Sequence, residues 1–164
     1  MTDIALQDAL AAELKDFFRK NFVKMPWGEC NSPVHVYSQF LPMKQAGAGE
    51  PDGDDDTNDQ WNYVCVVLGP QSLKNGKWLA EVHFYVGIKD WDEERQGYRN
   101  VAHVMNEVFR HFSELSFVDG YYRMNREEAY KGFVDEVDPP YYEGDLITYW
   151  ELPAPQETGL EDLI

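Results

Sequence analysis

Val82-His83-Phe84-Tyr85-Val86-Gly87-Ile88-Lys89-Asp90-Trp91-Asp92-Glu93-Glu94-Arg95-Gln96-Gly97-Tyr98 is the stretch on which the fold turns. Its first half is rich in β-branched and aromatic residues, the composition of a strand. An acidic turn at residues 90–94 breaks it. Past Tyr98 the period changes. Val101, Val104, Met105, Val108, Phe112 and Leu115 recur at helical spacing, with His103, Asn106, Arg110 and Glu114 on the other side. No group in the turn has a catalytic partner. A strand that feeds a helix through a turn without chemistry suits a scaffold that pairs with other chains.

Upstream, residues 78–88 form the strand just described and residues 61–68 form another. Asn75-Gly76 lies between them, the strongest short hairpin signal, so the two are expected to pair antiparallel. Segment 61–68 is apolar on both parities toward its end, as for a strand covered on both faces. Residues 34–41 read as a first strand, with Val34, Val36 and Phe40 on one parity. Residues 4–22 read as a helix. Leu6, Leu10, Leu14, Phe17 and Phe18 share one arc, while Asp8, Ala12, Lys15, Asp16 and Arg19 fall opposite. Pro26 ends that pattern at the latest.

Downstream, the second helix covers 98–116. Short strand-like pieces follow near 121–126 and 132–137, Pro139-Pro140 breaks the chain, and 144–152 is a last strand. Strands in runs with helices set between them indicate an α+β fold. The expectation is a single domain over 1–152, with a mainly antiparallel sheet of four to five strands and two main helices packed on one face. Residues 42–59 are expected to be a mobile acidic loop, and 153–164 an extended C-terminal tail. No internal repeat is present, and the strand order stays open.

The 164 residues, 19.1 kDa, fit one domain with a real core. The net charge is −16. Phosphate binding needs clustered Lys and Arg, and none appears, which argues against direct nucleic-acid binding and against an anionic membrane surface. The acidity reads as ordinary solubility, or as a surface that repels DNA or mimics it. Cys30 and Cys65 are too few for a disulfide framework and read as reduced thiols. The start of the chain lacks a basic segment followed by an apolar run, so no signal peptide is expected, and no stretch approaches a membrane span.

His103, Glu107 and His111 fall at i, i+4 and i+8, and are metal-ligand types. They lie off the core stripe, so the set reads as a solvated polar face. The acidic run at 52–59 departs from a calcium loop: its Gly is second rather than central, and strands flank it. The glycines at 47, 49 and 53 fail the dinucleotide spacing, and no Gly-Lys-Ser/Thr or Gly-x-Ser-x-Gly occurs. No catalytic residue, cofactor or metal is expected, and the chain reads as no enzyme. Trp61, Trp78, Trp91, Tyr98, Tyr121, Tyr122, Tyr141, Tyr142, Tyr149 and Trp150 are expected mostly in the core. Trp91, in an acidic turn, and Tyr141-Tyr142, after two prolines, are placed for an interface instead.

Three segments together carry a family resemblance. They are Val86-Gly87-Ile88-Lys89-Asp90-Trp91-Asp92 closing with Gln96-Gly97-Tyr98-Arg99-Asn100-Val101, the helix continuing to Leu115, and Tyr141-Tyr142-Glu143-Gly144-Asp145 leading to Thr148-Tyr149-Trp150-Glu151-Leu152-Pro153. Over roughly residues 34–153 the chain resembles small tail-completion or tail-terminator-like proteins of long-tailed bacteriophages and prophages. The resemblance implies a non-enzymatic subunit of the virion tail, assembled in the bacterial host cytoplasm. Such subunits form a ring-type homo-oligomer, such as a hexamer, at the head-proximal end of the tail tube. Their partners are the tail-tube and head-completion proteins. DNA would pass through the ring, and a negative lumen would repel it. The long acidic loop at 42–59 departs from the family pattern, and the family has no catalytic residues to carry over. Interface contacts are expected at Asp54, Asp55 and Asp56 in the loop, at Trp91, Tyr98, Tyr141 and Tyr142, and at Leu163 in the tail. The alternative is an acidic DNA mimic that binds and blocks a DNA-binding host protein. A mimic needs carboxylates in duplex-like rows, whereas many here cluster in one loop.

Overall fold

A computed structural model describes residues 3–21, 33–42, 60–91, 93–134 and 140–153. Seven elements follow in order: α1 (Asp3–Lys20), β1 (His35–Ser38), β2 (Tyr63–Lys74), β3 (Lys77–Lys89), α2 (Tyr98–Glu114), β4 (Arg123–Phe133) and β5 (Tyr141–Glu151). The fold is α+β, with one five-stranded sheet in the order β1-β2-β3-β5-β4. Every neighbouring pair is antiparallel except β1 with β2, which is parallel. A parallel pair needs a long connection, and the chain between Ser38 and Tyr63 supplies it.

Both helices pack on one face of the sheet, because each has one apolar stripe to bury. Leu6, Leu10 and Leu14 of α1 and Val101, Val104 and Val108 of α2 are fully buried. They meet the even-numbered residues of β3 and β5. Val82, Phe84, Val86, Leu146 and Trp150 form the floor of this core. Phe112 joins the layers, stacked on Phe84 at 5.4 Å and edge-on to Trp150 at 5.2 Å. Thr148 is the polar exception in that row. Its Oγ1 donates to Val82 O at 3.1 Å and accepts from Trp150 Nε1 at 2.9 Å, so nothing there is left unsatisfied. Gln7 enters the core from α1 and donates to Val66 O and to Gln39 Oε1, tying the helix to the sheet edge.

The Asn75-Gly76 hairpin forms as expected. Lys74 pairs with Lys77 across a two-residue turn, and both turn residues have positive φ, +52° and +76°, as a type I′ turn requires. Four features differ from the sequence expectation. Residues 123–133 form one strand, β4, which joins the piece near 121–126 to the start of the piece near 132–137 and has a register irregularity between Met124 and Ala129, while residues 135–137 lie outside the described residues. The last strand starts at Tyr141, not 144, because Tyr141 already pairs with Lys89. Phe40 does not share a parity with Val36: Gln39 has φ +67°, which breaks the alternation and leaves Phe40 in the open. Of the ten Trp and Tyr residues expected mostly in the core, only Tyr122, Tyr142 and Trp150 are buried. No helix among the described residues is long and apolar enough to cross a membrane.

Candidate interaction face

The odd-numbered residues of the central strands point away from the helices. The register sets them in rows across the sheet. Tyr63, Gly87 and Glu143 form one row, Tyr37, Cys65, Tyr85 and Asp145 the next, and Val67, His83 and Ile147 a third. Among the described residues, neither helix covers this face. Tyr63 lies flat across the sheet because Gly87 has no side chain; a Cβ there would come within 2.3 Å of the ring. Beside it is a cavity of about 360 Å³, lined by Gln39, Phe40, Leu41, Tyr63, Tyr85 and Glu143 among others. Its walls are mainly apolar and aromatic, and among the described residues Glu143 is the one charged residue lining it. The Tyr63 hydroxyl donates to that carboxylate at 3.3 Å. Burial and the Glu143 charge raise the Tyr63 pKa well above the usual phenol value, so the ring stays neutral.

The third row carries a clamp. His83 Nδ1 lies 2.8 Å from Asp145 Oδ2, and His83 Nε2 lies 2.8 Å from Glu81 Oε2. The imidazole also stacks on Tyr85, and the Tyr149 hydroxyl donates to Glu81. Burial alone would lower the His83 pKa, but the two carboxylates outweigh it and raise it overall. Burial likewise raises Asp145, partly offset by His83. The ring bridges the two acids and ties β3 to β5. With both nitrogens occupied it offers no lone pair to a substrate. Cys65 lies on the same face, and burial pushes its thiol up to about 11, which favours the protonated form.

Trp91, Tyr98 and Tyr141, singled out from the sequence, all lie toward the end of the sheet where β3 closes and β5 begins. Trp91 is 71% exposed, enough to serve a partner, and Lys89 Nζ hangs 5.8 Å above its ring. Tyr98 is exposed and edge-on to Phe133, and Tyr141 stacks on Trp61 at 4.5 Å. The turn that presents Trp91 is anchored from inside. Asp90, the first acid of the turn, is buried, and the fully buried Asn100 donates to its carboxylate at 2.9 Å. The Asp90 N–H donates to Pro140 O.

Tyr142 departs from expectation. It is 8% exposed, so it belongs to the core and not to a surface. The reason is parity: with the strand starting at Tyr141, the even residues of β5 face the helices. Its ring lies against Gly97, and its hydroxyl is buried without a hydrogen-bond partner among the described residues. The two motifs Gln96-Gly97-Tyr98 and Tyr141-Tyr142 therefore meet in space. Asp54, Asp55, Asp56 and Leu163, with Cys30 and the acidic loop, lie outside the described residues. His103, Glu107 and His111 are not one solvated face. His111 pairs with Glu13 at 2.9 Å and stacks on Phe17, in the seam between the helices, while Glu107 pairs with Arg110. No cluster of three metal-ligating side chains forms among the described residues.

The cavity was not singled out from the sequence. Its only trace there is the second apolar parity of 61–68, which reads equally as a strand covered on both faces. Neither protein-family models nor curated proteins return a match to this sequence.

Proposed function

We propose that this chain is a non-enzymatic structural subunit of a phage or prophage tail, of the tail-terminator or tail-completion type. It forms a ring at the head-proximal end of the tail tube and joins tube to head. The observation that carries the proposal is the sheet face that neither helix covers among the described residues, with exposed Tyr85 and an apolar cavity beside Tyr63, together with the exposed Trp91, Tyr98 and Tyr141 toward one end of the sheet. Large rings at such positions supply contact area at low entropy cost and dominate interface energetics. One imidazole on that face, His83, is held between two acids, which suits a rigid contact surface better than proton transfer. The meeting of Gly97 with Tyr142 supports the family resemblance, because it gives two of its motifs one shared structural reason. The net charge of −16 suits a ring through which DNA passes without adhering.

The test is assembly. The purified full chain, alone and with tail-tube protein, is followed by light scattering and negative-stain electron microscopy. Closed rings that cap growing tubes are the expected result. A strict monomer at high concentration, with tubes elongating unchecked in its presence, would overturn the proposal.

A further inference from the structure

The β2–β3 hairpin overshoots the rest of the sheet. Residues 71–78 are all exposed, and β5 stops pairing with β3 at Leu79. Two directly opposed pairs occupy this arm. Leu73 faces Trp78, and Lys74 faces Lys77. Both arrangements cost the isolated chain something. Leu73 and Trp78 leave apolar surface in water, being 56% and 42% exposed. Like charges directly opposite on a hairpin destabilise it, and neither lysine pairs with an acid among the described residues. The arm also carries no acid: of 30 Asp and Glu residues, none falls between 60 and 80.

At the other end of the same sheet lies the complement. The cavity is walled by Phe40, Tyr63, Tyr85 and Val134, and carries Glu143. Asp145 follows in the next row. From Cys65 beside the cavity to Asn75 at the tip is about 33 Å of strand, at roughly 3.3 Å per residue. An apolar and basic arm at one end, and an apolar and acidic cavity at the other, cannot meet within one chain. They can meet between copies.

We infer that the arm of one copy docks in the cavity of the next, with Trp78 and Leu73 entering the apolar walls and Lys74 and Lys77 facing Glu143. The contact is heterologous and head-to-tail, the type that closes into a ring when the rotation allows. The inference rests on the ring proposal above and names the two surfaces that build it.

Sedimentation velocity on the full chain tests it. Trp78→Ala should weaken self-association roughly thirtyfold, the cost of losing one interface anchor. Lys74→Glu/Lys77→Glu and Glu143→Lys should each yield monomers. Mixed in equal amounts, these two variants should assemble again, because each arm then meets a cavity of opposite charge. Circular dichroism and thermal melting check that each variant is folded, and Glu143→Gln replaces Glu143→Lys if the lysine unfolds the chain, read then only as weakened self-association of that variant, without the mixing arm. If the wild type assembles and the arm variants assemble equally well, or if the mixture stays monomeric, the docking is wrong while the ring proposal stands. If the wild type is monomeric alone and with tube protein, both fall.

Discussion

Replacing Gly97 with alanine should destabilise this protein by about 1–2 kcal/mol, against the usual direction for such a change. Gly97 has φ −59° and ψ −24°, ordinary right-handed geometry that alanine also adopts. On backbone entropy alone the substitution would gain about 0.4–1 kcal/mol. The space decides otherwise. A Cβ at Gly97 would lie 2.3 Å from Cδ2 and Cε2 of Tyr142, far inside van der Waals contact. That ring has nowhere to go, because it is buried and its main chain is locked opposite Ile88 in the β3–β5 ladder. Forcing a methyl group into such packing costs about 1–3 kcal/mol. Equilibrium urea denaturation measures the net, and the melting temperature should fall by roughly 2–8 °C. In a Tyr142→Leu background the penalty should vanish, a coupling that a double-mutant cycle reads directly. Gly132→Ala, where a Cβ meets nothing within 4 Å, is the matched control and should be close to neutral. A Gly97→Ala protein as stable as wild type, or additive effects in the cycle, would refute the contact as the reason for glycine at this helix start.

Tyr142→Phe should raise stability by about 1 kcal/mol, since it removes a buried hydroxyl that has no hydrogen-bond partner among the described residues; a loss of stability in the same denaturation assay would mean that the hydroxyl is satisfied. Asn100→Ala should cost about 2–3 kcal/mol by stripping a donor from the buried Asp90 carboxylate, and should increase hydrogen exchange at residues 90–97; unchanged exchange there would show that the turn is held by other means. The His83 clamp makes a signed pH prediction. The folded pKa of His83 is raised, so its stabilisation is complete below the unfolded value of about 6.5 and fades as pH rises through the folded value. Asp145 is raised as well and acts in the same direction at lower pH. Urea midpoints taken from pH 5 to 8 should fall for wild type and flatten for His83→Gln. The groups facing the ring are Glu81, Asp145 and Tyr85, with Tyr149 behind Glu81. Identical pH profiles for the two proteins would refute the clamp.

What could be read without coordinates was local. The stripe Val101 to Phe112 and the arc Leu6 to Phe17 repeat at helical spacing, and Asn75-Gly76 marks a turn by the φ values it tolerates. Those features select an α+β domain with both helices on one face. Trp91, Tyr98 and Tyr141 could be singled out because each has an exposed-looking neighbourhood in the chain itself. Tyr142 could not, because a strand that begins one residue earlier or later turns every side chain to the opposite face, and the paired prolines hid where β5 begins. The parallel pairing of β1 with β2, the seating of Tyr142 on Gly97, and the clamp of His83 by Asp145, 62 residues away, leave no local trace in composition or period. The sequence by itself determined which segments form helices and strands, because that depends on neighbours along the chain. The tertiary structure alone decided which side chains share a face, a cavity or a charge, because those contacts follow from the register between strands distant in the chain.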